Sequence, residues 1–219
     1  MTVISPEPKA STCNTRRTLW GLLALVSLSV GVTACAPVVL GTAAVGSVLV
    51  ATDRRTSGIQ LEDEGIELRA NARLREALGD KHHINVTSYN RQVLLTGEVA
   101  AAADRQRAEQ VVARVENVRS VVNELVATPN SSLSQRSNDA IITGKVKASM
   151  VDAKDMQANA FKVVTERAVV YLMGRVTQRE ANRATEVARG VSGVSKVVRV
   201  FEYITEDELK GLQPQAPRQ

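Results

Sequence analysis

The chain has 219 residues, 44% of them hydrophobic but only 3% aromatic, with a formal net charge of +5. One or two small domains fit that length; their cores must be built from Val, Ala, Leu and Ile, and the scarce aromatics argue against a base-stacking nucleic-acid platform. Two cysteines, Cys13 and Cys35, with no Cys-x-x-Cys and no Cys/His cluster, argue against a structural metal site, while the mildly basic balance suits an anionic partner.

In chain order, Lys9, Arg16 and Arg17 precede the apolar run 19–32, and small residues Thr33 and Ala34 lead into Cys35. This is the three-part layout of an export signal. "VTAC" resembles a bacterial lipobox, so residues 1–34 are expected to be a lipoprotein signal peptide and Cys35 the acylated residue, whose fatty chains would give stable anchoring. The uncharged run is long enough for a membrane-crossing helix, but Gly31, Pro37, Gly41 and Gly46 interrupt it. Ala36 is not Asp, which by resemblance to enteric lipoproteins points to the outer membrane, with the rest of the chain facing the periplasm. The mature chain would carry about +3 and one cysteine, excluding an internal disulfide. Residues 35–65, apolar and then polar, read as the acylated Cys and a flexible tether.

A repeat follows. The segment "INVTSYNRQVLLTGEV" at 84–99 aligns with "FKVVTERAVVYLMGRV" at 161–176, and flanking segments align at an offset of 76: Ile66, Ala70 and Leu74 with Ile142, Val146 and Met150; Ala108, Val111 and Val115 with Ala184, Val187 and Val191. Within each copy the apolar spacing predicts a helix, two strands (84–89 with 92–99; 161–166 with 169–176), a second helix and a last strand (118–126; 194–204). Asn138 or Asp139 is expected to cap the second copy's first helix. The hairpin turns would fall at Asn90-Arg91 and Arg167-Ala168, neither with the usual glycine. Gly97 and Gly174 mark a bulge or a close helix approach, and Asn117 and Gly193 suit helix stops. The expected fold class is α+β: two tandem αββαβ modules, each a three-stranded mixed sheet packed on two helices, at 66–126 and 139–205. Residues 127–138 read as a linker and 206–219 as a disordered tail.

The repeated unit resembles the BON domain, a small bacterial αββαβ module. The likeness is carried by "INVTSYNRQVLLTGEV" and "VENVRSVVNEL" in the first copy, and by "SNDAIITGKVKA", "VVTERAVVYLMGRV" and "VSGVSKVVRVF" in the second. With "TACAP" ahead of them, the layout over roughly 30–205 looks like that of the dual BON-domain outer-membrane lipoproteins. The resemblance implies a non-enzymatic protein of the cell envelope that supports outer-membrane integrity and binds anionic phospholipid, chiefly through the second module.

The copies differ in charge: residues 66–126 hold nine Lys/Arg against eight Asp/Glu, residues 139–205 eleven against seven. In the second copy's first helix Lys145, Lys147 and Lys154 surround Ile141, Met150, Val151 and Met156, and Ile141, Lys145 and Ala148 form a stripe beside the core-facing one. By residue type alone these are surface lysines over core methionines. With the resemblance, Ile141, Lys145, Lys147, Ala148, Val151 and Lys154 become the expected lipid-binding residues, apolar side chains entering the acyl boundary while ammonium groups meet phosphates. The family often has an aromatic where Ile141 stands, which implies shallower insertion here. His82-His83, lacking a third ligand nearby in sequence, reads as a solvated pair. No catalytic constellation, cofactor motif or nucleic-acid signature stands out. The competing reading is a periplasmic scaffold that docks envelope-assembly or division proteins, through a valine-rich sheet edge for example.

Overall fold

The computed structural model describes residues 53–212. The expected signal peptide, Cys35 and the first part of the tether lie outside the described residues. Helix α1 spans Ser57–Leu78, strands β1 and β2 span His83–Tyr89 and Gln92–Val99, and helix α2 spans Ala102–Ala113. The last lane of the first sheet comes in two pieces, β3 (Ser120–Asn123) and β4 (Val126–Ala127). The second copy repeats the order with α3 (Leu133–Asp152), β5 (Lys162–Glu166), β6 (Val169–Val176), α4 (Gln178–Arg189) and β7 (Lys196–Tyr203), followed by α5 (Glu206–Leu212). In each copy a hairpin pairs the first two strands antiparallel, and a helical crossover returns the chain to lie parallel to the central strand, as parallel pairing requires. The fold is therefore the expected pair of αββαβ modules with mixed sheets.

Three stretches differ from the sequence reading. Residues 57–65, expected in the tether, are the first turns of α1, capped by the Thr56 hydroxyl, which accepts from the Ile59 amide. Immediately before it, the Arg54 guanidinium bonds both oxygens of Glu180, at 2.6 and 2.8 Å, and is buried in doing so. The 127–138 linker is helical from Leu133. Its cap is Ser132, not Asn138 or Asp139: the Ser132 hydroxyl accepts from the Gln135 amide while the Gln135 side chain accepts from the Ser132 amide, a capping box that the polar composition concealed. The first part of the 206–219 tail is α5, which buries Leu209.

Asp139 has another task. It sits mid-helix in α3, buried, and its carboxylate accepts the backbone N–H groups of Arg167 (2.9 Å) and Ala168 (2.8 Å). Asp63 in α1 does the same for Asn90 and Arg91. All four turn residues have positive φ, between 51° and 63°, the backbone of a two-residue hairpin that glycine normally favours. A buried carboxylate from the neighbouring helix thus holds open each turn that lacks glycine. At Gly97 (φ 112°) an added Cβ would run into the His83 carbonyl, and at Gly174 it would lie 2.5 Å from the Ala160 carbonyl, so backbone carbonyls approach here; at Gly97 the neighbour is the paired strand and not the expected helix. The helix-stop residues Asn117 and Gly193 do take positive φ, but in the turns beyond the ends of α2 and α4.

Each module's core lies between its helices and one sheet face: Ile66, Ala70 and Leu74 with Leu95 and Val112 in the first, Ile142, Val146 and Met150 with Leu172 and Ala184 in the second. Side chains on successive strand residues point to opposite faces, so the other faces of both sheets also need cover. They cover each other, with Tyr89 and Leu94 packing into one buried cluster with Tyr171, Met173 and Val200. Polar ties frame this junction: Lys162 to Glu67 (2.8 Å), Asn90 to Glu202 (2.6 Å) and Asn85 to Glu166 (2.7 Å). The sheets lie back to back with the helices outermost.

Candidate functional site

Helix α3 owes its inner face to Asp139, Ile142, Val146 and Met150, all buried. With successive residues about 100° apart around the axis, Ile141, Ala148 and Val151 project on the opposite side, with Lys145 and Lys147 flanking them to left and right. The structure places all six expected lipid-contact residues, Lys154 included, at the surface. Ile141 is 57% exposed, Val151 68%, and Leu133 in the first turn 77%. Leu133 was missed because it lay in the presumed linker. Met150 and Met156, in contrast, turn inward to the core.

Among the described residues, none of Lys145, Lys147 and Lys154 forms an ion pair with a carboxylate. Nearby Arg183 takes Asp155 at 2.8 Å, removing the acid nearest Lys154 in the chain from competition. A cleft of about 400 Å³ opens beside Lys147, walled by Met150, Val151, Ala158 and Phe161, with Asp53 at its edge. The arrangement is an outward apolar ridge with unpaired ammonium groups on both flanks, next to a partly apolar cleft. No helix among the described residues is long and apolar enough to cross a membrane.

The equivalent face of α1 differs. At the 76-residue offset, Ile141, Lys147 and Val151 correspond to Gly65, Asn71 and Arg75, and Lys145 to Arg69, whose guanidinium is tied to Glu62 at 2.7 Å. Leu61 and Leu68 are exposed on α1, but Glu62, Glu64 and Glu67 share the helix with them. Helix α1 thus has an outward apolar stripe of its own, Leu61, Leu68 and Ala72 with Arg75 beside it; the second module differs in flanking its ridge with unpaired lysines on both sides.

A second cluster went unseen in the sequence. His82 and His83 are not solvated; their side chains are 8% and 18% exposed. His82 Nδ1 accepts from the Ala100 amide at 3.2 Å. His83 meets Glu98 of its own sheet and Glu166 of the other module, so the third and second ligands absent from its sequence neighbourhood arrive through the fold. Burial alone would raise the Glu98 carboxyl, but bonds from His83 and Ser131 outweigh it and hold it below the ordinary carboxylate range. Burial raises Glu166, and the charges of Glu98 and Asp139 add to that against the Asn85 bond and His83.

The fold agrees with comparisons to known proteins. The BON domain family model matches residues 62–129 and 138–205. The chain is 37% identical to the outer membrane lipoprotein DolP of Haemophilus influenzae, over 84% of this chain and 95% of that protein. It is 34% identical to the 21 kDa hemolysin of Actinobacillus pleuropneumoniae over 69% of this chain and 79% of that one. With the osmotically-inducible protein Y of Escherichia coli it shares 36% identity over 48% of this chain and 50% of that protein. The chain belongs to the BON domain family, as a dual-BON lipoprotein with two BON domains in tandem.

Proposed function

We propose that the protein is a non-enzymatic, lipid-anchored component of the outer membrane, facing the periplasm, whose second BON domain binds anionic phospholipid through the outer face of α3 and so supports envelope integrity. The observation that carries this reading is the ridge of Ile141, Ala148 and Val151 between the unpaired lysines Lys145 and Lys147; the outward stripe of the first domain has Glu62, Glu64 and Glu67 on its helix instead. An amphipathic helix of this kind lies in the interface plane, with binding set by buried apolar area and attraction to anionic lipid. Each basic residue near such a surface is worth about 1 kcal/mol, so three lysines give weak contact by themselves. Acyl chains on Cys35 would raise the local concentration and make weak contact sufficient.

Flotation with liposomes tests this. A fragment of residues 52–219, which keeps the Arg54–Glu180 pair, is expected to float with vesicles containing phosphatidylglycerol, to bind less as salt rises, and to stay behind with phosphatidylcholine alone. Lys145→Glu with Lys147→Glu should abolish flotation with the fold intact. Failure of the unaltered fragment to bind anionic vesicles would contradict the reading and favour the scaffold alternative.

A further inference from the structure

We propose that His83, Glu98 and Glu166 form a binding site for a divalent transition-metal ion of the zinc class, fastening the two BON domains to each other. The three lie where the back-to-back sheets meet. Glu98 sits in β2, its side chain fully buried; Glu166 ends β5 and is buried; His83 opens β1. One imidazole nitrogen and one oxygen from each carboxylate all fall within 4.8 Å of one another. His83 Nδ1 stands 2.9 Å from Glu98 Oε2 and 3.8 Å from Glu166 Oε1. Zinc bonds of about 2.0–2.1 Å in a tetrahedron set ligand atoms about 3.3–3.4 Å apart, a separation these two distances bracket.

Supporting bonds aim the donors. Asn85 Nδ2 donates to Glu166 Oε2 at 2.7 Å, leaving Oε1 toward His83, and the Ser131 hydroxyl donates to Glu98 Oε2 at 3.2 Å. Such outer bonds to ligating groups fix their orientation and tune the site. Two buried carboxylates on apposed sheets are costly unless paired. Arg167, 3.5 Å from Glu98 Oε1 and half out in solvent, supplies one positive charge, and Asp139 nearby adds a further negative one. A divalent ion with two carboxylates and a neutral imidazole makes a neutral unit, and a nitrogen with two oxygens suits zinc better than the all-oxygen preference of calcium or magnesium. The fourth position would face the adjoining groove of about 490 Å³, which His83, Asn85, Arg136, Asp139 and Glu166 help to line. In the metal-bound form the imidazole is the neutral tautomer with its one proton on Nε2, which leaves the Nδ1 lone pair for the metal.

The test uses the full chain in detergent. After exhaustive chelation and dialysis, titration with zinc chloride should give one ion per chain, a higher melting temperature, and with cobalt(II) the visible absorption of a four-coordinate ion. His83→Gln and Glu166→Gln should each weaken zinc by at least about 100-fold, more than outer-sphere changes cost, whereas His82→Gln should not. The zinc stoichiometry and cobalt spectrum of the unaltered chain stand even if a variant folds poorly. Absence of stoichiometric zinc, or equal affinity in Glu166→Gln, would overturn the proposal, as would loss in His82→Gln but not in His83→Gln.

Discussion

Single carboxylates carry unusual weight in this molecule. Asp63 and Asp139 occupy the same place in the two domains and hold positive-φ turns without glycine. Hydrogen bonds to charged groups are worth about 1.5–3 kcal/mol each; allowing for water reaching the freed amides, Asp63→Ala and Asp139→Ala should each cost about 2–4 kcal/mol in urea unfolding. Replacing Ala168 by Gly should lessen the loss in the second case. Glu180 is a second example. Burial pushes its carboxyl up, but bonds from Arg54 and the Thr177 amide outweigh that and leave it low; Asp63 is likewise low despite its burial. A carboxyl depressed by folding stabilises fully above its unfolded pKa, and that stability disappears as pH falls through the folded value. The melting temperature should therefore drop on acidification below about pH 4, the ordinary carboxylate range. Arg54→Met, which strands a buried charge, should cost about 3–5 kcal/mol at neutral pH and flatten this acid limb. The roles of Asp63 and Asp139 were not legible in sequence: an acid three residues before Ile66 or Ile142 looks like a helix cap until the hairpin is seen beside it.

Among the elements, α3 is the one with two working faces. Its core stripe, Ile142, Val146 and Met150, was readable because helical spacing fixes which residues share a side. The outer ridge was readable only in part, since Leu133 was hidden in a run of Ser, Asn and Gln taken for a linker. The Ser-x-x-Gln of the capping box was the signal that would have moved the boundary, and Ser132→Ala should cost about 1 kcal/mol. Indole favours the membrane interface, so Ile141→Trp should increase binding to anionic vesicles several-fold with little change in the melting temperature, because the position is exposed and outside the core cluster.

For the whole molecule, the repeat gave each domain but not how the two meet. Alternating strands such as "INVTSYN" read as one face buried and one solvated, and nothing in that pattern says that the second face meets another sheet. The sheet-to-sheet contact through Leu94, Tyr171, Met173 and Val200 follows from the fold, and with it the juxtaposition of Glu98 and Glu166. This packing leaves helices, not sheet faces, to meet a membrane. It also makes the domains interdependent. Calorimetry should show a single cooperative transition, and Leu94→Ala, at about 2–5 kcal/mol for a buried truncation, should lower it and begin to separate the domains.

The central claim, that the outer face of α3 enters an anionic bilayer, is tested most directly by depth. The 52–219 fragment has no native cysteine, so Ala148→Cys carries a single nitroxide label, and Ala72→Cys on α1, exposed like it, serves as the counterpart in the first domain. With phosphatidylglycerol vesicles, the label at 148 should become accessible to oxygen and shielded from aqueous nickel reagents, while that at 72 stays in water. Equal aqueous exposure at both positions in vesicle-bound protein would contradict the account.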